Sequence, residues 1–323
     1  MGYPVSNQYA TTPAYSGTFI PTLWASKLIA KFYAATVFGD IANTDYEGEI
    51  SGQGDKVVIN TVPTIAIRDY VAGTALTYDV PVGETVELNI DKGKYFGFRV
   101  NDVLEYQSKP NLMTTFTNDA SEQMKITIDR VVLRGVLDQV AAVAATNKNM
   151  GSNAGIISGG YTLGTDTTPI VLTGSNILPL LTQMASTLDE ANVPEDGRFL
   201  VISPQVRTVL MSSPLANAQF SGDGTTIQRN GKIGMIDRFT VYVSNQLPRA
   251  AAGKDFDGGT AAGTAKRHAI FAGHKTGLTF AAQITKVEDL KDQNDFGMLV
   301  RGLNVYGYKV VKAQSLAIAL VDA

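Results

Sequence analysis

Cysteine is absent from this chain, histidine occurs twice and tryptophan once. Without a thiol there is no disulfide framework, no thiolate zinc site and no cysteine nucleophile, and the redox compartment leaves no mark. The two histidines, His268 and His274, stand six residues apart and match no metal-ligand spacing. An excess of one charge is missing too. Lys and Arg number 27 against 30 Asp and Glu, net −3, and no stretch is basic enough to grip nucleic acid through a cationic patch. Nowhere do 18 apolar residues run together, so no membrane partner is expected. The opening "MGYPVSNQYATTPAYSG" shows neither the basic nor the apolar region of a signal peptide, and Ser6 fits a myristoylation start only loosely. The expected compartment is the cytosol.

Catalytic motifs are equally scarce. "GIISG" (155–159) places Ser158 one position away from a nucleophile elbow. "GDGTTIQRNGKIG" fails the P-loop spacing, and "AGHKTG" has histidine where the glycine before lysine belongs. Asp45, Glu47 and Glu49, or Asp255 and Asp257, could meet a hard cation, but the calcium-loop pattern is incomplete and solvated carboxylates are the ordinary reading. Lys92 and Lys94 read as solubilising charges on a strand edge rather than nucleophiles. The residues point to no enzyme, cofactor or metal.

What is present is a mixture of long elements. Residues 1–18 are Tyr, Ser, Thr, Pro and Gly without a period, and the first 44 residues carry only Lys27, Lys31 and Asp40 as charges. That segment reads as an extended arm, followed by a short helix whose Leu23, Trp24, Leu28, Phe32 and Tyr33 share a face. In "TVELNIDKGKYFGFRV" (85–100), Val86, Leu88, Ile90, Phe96, Phe98 and Val100 all fall on even positions. Side chains alternate faces along a strand, so one face is oily over about 50 Å. Val57–Tyr70, interrupted by Pro63, is predicted to pair with it in one long antiparallel hairpin. A two-stranded ribbon is marginal in water and must lie on something.

Residues 108–147 are predicted to form a very long helix, with a stripe through Phe116, Met124, Ile128, Val132, Val136, Val140 and Val143. Lys125/Asp129 and Arg134/Asp138 are read as opposite-charge pairs on its other face. A Gly/Thr/Asn-rich connection (147–174) leads to a second unit. It comprises a helix near 175–192, a buried strand at Phe199–Ile202, a short helix at 205–211 and one or two strands within 232–248. After a surface loop (250–267), strands at 284–290 and 298–305 face each other. Without βα alternation, the class is α+β.

This order resembles the major capsid proteins of tailed double-stranded DNA bacteriophages, the Hong Kong 97 (HK97-like) fold. The likeness rests on "FIPTLWASKL", "GDKVVINTVPTIAIRDY", "ASEQMKITIDRVV", "GMIDRFTVYVSNQLP", "AIFAGHKTGLTFAAQ" and "FGMLVRGLNVYGYKV", and on Leu88, Ile90, Asp91, Tyr95, Val100 and Asp102. By that likeness residues 1–44 are the N-terminal arm and 45–101 the extended loop with its flanking strands. Residues 102–150 are the spine helix of the peripheral domain and 151–274 the axial domain, while 275–323 supply return strands and a last axial strand. The resemblance implies a protein that assembles with itself into hexamers and pentamers of an icosahedral head enclosing DNA without sequence-specific binding. It also implies a separate scaffolding protein, because the type member's N-terminal scaffolding segment has no counterpart here. A portal and decoration or cement proteins would be further partners, with assembly in the host bacterial cytoplasm and residence in the virion capsid. Nothing identifies the type member's Lys–Asn cross-link.

Inter-subunit contacts are expected at Trp24, Ile65, Ile67, Arg68, Tyr70, Val86, Leu88, Ile90, Tyr95 and Phe96, with a neighbouring copy covering the ribbon's oily face. The alternative within the same fold is an encapsulin-type compartment shell, against which the Tyr/Thr/Ser arm counts. A hydrolase would need a positioned acid, base or nucleophile. A secreted surface-layer or adhesin module fits poorly with the absent signal and the long helix.

Overall fold

The computed structural model describes residues 33–34, 36–45, 56–63, 65–73, 75–81, 83, 85–101, 112–214, 234–254, 256, 265–292 and 296–323. The expected short helix around Trp24 lies outside them. The first elements are a single helical turn, α1 (Phe38–Ile41), and the short antiparallel pair β1 (Lys56–Asn60) and β2 (Thr85–Asn89). Strand β3 (Lys92–Asn101) and the 36-residue helix α2 (Leu112–Asn147), about 54 Å long at 1.5 Å per residue, come next.

Then follow β4 (Ile170–Val171), α3 (Ile177–Glu190), β5 (Arg198–Ile202), α4 (Pro204–Met211), β6 (Met235–Ile236), β7 (Phe239–Val243) and β8 (Arg249–Ala250). The last four strands are β9 (Arg267–His274), β10 (Leu278–Lys291), β11 (Gly297–Val310) and β12 (Leu316–Asp322). The helices expected at 108–147, 175–192 and 205–211 and the strands expected at 199–202, 284–290 and 298–305 all appear among the described residues. Strands β4 and β9, in contrast, were not among the expected elements, and β10 starts six residues earlier than expected.

Besides the β1/β2 pair, two larger sheets organise the described residues. One has three strands in the order β10-β11-β3, all antiparallel. The other has seven, β4-β12-β9-β5-β7-β6 with β8 beside β9. In the larger sheet β5 is buried at all five positions and β12 at all but its last. Strands covered on both faces need apolar residues at every position rather than alternation. Val132, Val136 and Val140 of α2 share one core with Phe199, Phe271 and Ile318. Leu180, Leu181, Met184 and Leu188 of α3 fill the opposite face with Leu200, Ile270 and Val321.

The single long hairpin is corrected. Residues 85–100 form two strands that break at Ile90–Asp91, and β3 pairs with β11, not with 57–70. The break has a steric setting. At Gly307 of β11 an added Cβ would sit 2.2 Å from the Asn89 carbonyl oxygen, so only glycine admits this close crossing. A second correction concerns α2. Asp129 is fully buried and receives the Val37 and Phe38 N–H groups on Oδ1 at 3.2 and 3.0 Å, while Lys125 pairs with Glu122 at 2.7 Å. The Arg134–Asp138 pair is present at 3.3 Å.

Candidate inter-subunit surface

The β1/β2 ladder stops at Asn60–Thr85. Just beyond it stand Pro63 on one side and Pro81 on the other, and proline has no N–H to give a ladder. The described residues between 61 and 83 accordingly form no strand. They are tied across by one side chain. Arg68 donates to the Thr77 carbonyl (3.2 Å) and hydroxyl, and reaches Asp79 Oδ1 at 2.7 Å. A guanidinium fork thus does locally what a backbone ladder does elsewhere.

The loop's described apolar side chains are exposed to differing degrees. Val62 is 95 % exposed, Ile67 93 %, Tyr78 87 % and Val80 86 %, and Ile65, Tyr70, Val71 and Leu76 are also exposed. Singly scattered exposed apolar residues are normal, whereas contiguous apolar patches beyond a few hundred Å² are typical of interaction surfaces.

The remaining expected contacts divide. Leu88 and Ile90 are buried with Ile59 and Ala281, and half-buried Val86 packs against the same cluster, docking the loop's base on β10 and β11. Val100 is buried as well. Half-buried Phe96 stacks on Phe98 (centroids 6.3 Å apart), which meets Phe116 of α2 edge-on at 5.9 Å. On the even face of 86–100, Leu88, Ile90 and Val100 are buried by the chain itself, while Val86, Phe96 and Phe98 are only partly covered. Tyr95 points the other way and is 83 % exposed. Trp24 lies outside the described residues. The structure brings Ile65, Ile67, Arg68 and Tyr70 onto one projecting loop and sets Leu88 and Ile90 apart in the core.

Sequence reasoning missed Asp129, which fastens α1 to α2. Its carboxyl is pushed up to about 6 by burial, partly offset by the Val37 and Phe38 N–H groups. The signal was there: Ile126, Asp129, Leu133, Val136 and Val140 follow a helical stripe, and all are buried. No three His, Cys, Asp or Glu gather to hold a metal among the described residues, and no described helix is long and apolar enough to cross a membrane.

A family model described as phage capsid protein matches residues 83–319. The chain belongs to that family. Comparison with curated protein sequences finds no match. Among solved structures, one from Mycobacterium phage Che8 is similar with a TM-score of 0.74 and 26 % identity, over 95 % of this chain and 98 % of that one. The capsid of cyanophage P-SCSP1u gives 0.71 at 18 % identity, over 98 % and 100 %. The capsid of cyanophage Pam1 gives 0.69 at 10 %, over 98 % and 99 %. The fold is the HK97-like capsid fold, and this capsid protein is a structural component of a phage head that assembles with copies of itself.

Proposed function

We propose that this major capsid protein closes into hexamers and pentamers of an icosahedral head around packaged double-stranded DNA, with the 61–83 loop of each copy laid on its neighbour. The observation that carries the reading is the loop itself, apolar, exposed and tied across by Arg68 to Thr77 and Asp79. Burying a few hundred Å² of it, at roughly 25 cal/mol per Å², outweighs the ordering of one loop. Head-to-tail contacts of this kind make rings when the rotation closes. Residues 1–44 would serve as an arm, 45–101 as the extended loop with its strands, 102–150 as the spine helix, 151–274 as the axial unit and 275–323 as return strands.

A separate scaffolding protein, a portal and decoration proteins are the remaining partners we assign, with assembly in the host bacterial cytoplasm. We assign no catalytic step to this chain. Near-neutral charge suits a container that encloses DNA without binding it stoichiometrically. Deleting 73–84 tests the reading. The variant is expected to keep the far-UV spectrum of the subunit yet give no closed particles in electron micrographs, with or without scaffolding protein. Normal shells from it would overturn the assignment.

A further inference from the structure

The root of the 61–83 loop lies against one flank of α2, where Thr61, Val62 and Val86 share a cleft with Gln139, Val143 and Asn147. A second groove, of about 550 Å³, follows the helical row Arg130, Arg134 and Asp138. That row lies roughly a third of a turn around α2 from the first cleft. Across the groove from it is the segment 245–249, and no described residue of the loop lines it. A head-to-tail ring needs two different surfaces on every copy, one that gives and one that receives. The loop and this groove are two such surfaces.

Their charges are complementary. In the groove, Arg130 and Arg249 are exposed. Arg130 donates from Nε to Gln246 Oε1 at 2.9 Å, and Arg249 donates to Asn245 Oδ1 at 3.2 Å. These neutral amides steady the two guanidiniums and cancel neither charge. Neither arginine forms an ion pair among the described residues, whereas Arg134 pairs with Asp138 at 3.3 Å. Arg130, Arg134 and Arg249 against Asp138 leave the groove at net +2. On the loop, Arg68 against Asp69 and Asp79 leaves net −1. Arg68 and Asp79 pair with each other, so Asp69 is the loop's uncompensated charge. It is exposed, forms no ion pair among the described residues, and stands between exposed Ile67 and Tyr70.

Resting on the reading of the loop as the contact between copies, we propose that this groove is the site on the neighbouring copy that receives it. The Asp69 carboxylate sits between the Arg130 and Arg249 guanidiniums, and Ile67 and Tyr70 lie along the groove beside half-buried Phe256 and Tyr308. The apolar residues supply the buried area. The charges fix which residues meet, because opposite charges across an interface set register and partner more than they add affinity. A reversed charge on either side places like charges together and excludes the contact.

The chain has no cysteine, so an introduced pair reports the contact directly. The full-length variant Tyr70→Cys/Asn245→Cys keeps every charge of the proposed site. Oxidised after assembly, it is expected to give a ladder of covalent oligomers above the dimer on non-reducing gels, since each copy gives one thiol and receives one. Either single variant should stop at the dimer. Charge exchange is the second arm. Asp69→Arg alone, and Arg130→Glu/Arg249→Glu alone, should each cut the yield of closed particles at least about tenfold, with the subunit's far-UV spectrum and thermal midpoint kept. All three substitutions together should recover most of that yield. Full yield from Arg130→Glu/Arg249→Glu, no recovery in the combined variant, or no ladder above the dimer would each overturn the groove as the receiving site. Such a result leaves the loop standing as the contact if deletion of 73–84 still abolishes closed particles. Closed particles from that deletion would overturn loop and groove together.

Discussion

Asp129 shows what one residue does here. A single-turn helix such as α1 has no stability of its own, because nucleation fixes several residues for one hydrogen bond. Two of its N-terminal N–H groups find their acceptor in a carboxylate 91 and 92 residues away. The other oxygen, Oδ2, is buried without a partner, and burial raises the pKa from the ordinary carboxyl value to about 6. The native state therefore holds this proton more tightly than the unfolded chain. Through this group stability falls as pH rises between about 4 and 6 and levels off above. Asp129→Asn keeps an acceptor for both N–H groups and removes the desolvated charge. It should flatten the pH dependence of the thermal midpoint across that window without lowering the midpoint at pH 7. Asp129→Ala should cost about 1–2 kcal/mol, the usual range for a lost helix cap. A slope unchanged in Asp129→Asn would count against this account.

At the scale of elements, α2 is set by a glycine that its helical period alone does not require. An added Cβ at Gly135 would lie 1.7 Å from the Tyr308 hydroxyl oxygen, which donates to the Val131 carbonyl at 3.3 Å. The tyrosine of β11 thus lies flat on the helix where a side chain is missing. Gly135→Ala should lower stability by roughly 1–3 kcal/mol through overpacking, although alanine is the better helix former by about 1 kcal/mol. With Tyr308→Ala in the background, the same change should become neutral or stabilising. Chemical denaturation of the four proteins measures the coupling, and additivity would refute it. The hairpin teaches a related lesson. Alternation over 85–100 correctly marked one buried face, but two strands with one phase in sequence need not share a partner. A close crossing at Gly307 separates them, and no local pattern announces a crossing.

For the whole molecule, the loop at 61–83 contributes little to the stability of the chain that carries it and is the surface we assign to its neighbours. The Arg68–Asp79 pair is half-exposed, and such pairs are worth about 0–1 kcal/mol to a fold. Arg68→Ala should therefore leave the subunit's thermal midpoint unchanged while reducing the yield of closed particles in sedimentation. Full yield would show that the loop needs no internal tie. The sequence by itself determined the three helices α2, α3 and α4, the doubly buried β5, the β10–β11 pair and the family likeness, since each follows from spacing that neighbours along the chain impose. Only the tertiary structure decided that Leu88 and Ile90 belong to the interior while Ile65, Ile67 and Tyr70 remain outside. All five are apolar residues in stretches that read as strands, and burial depends on which other segment arrives above them.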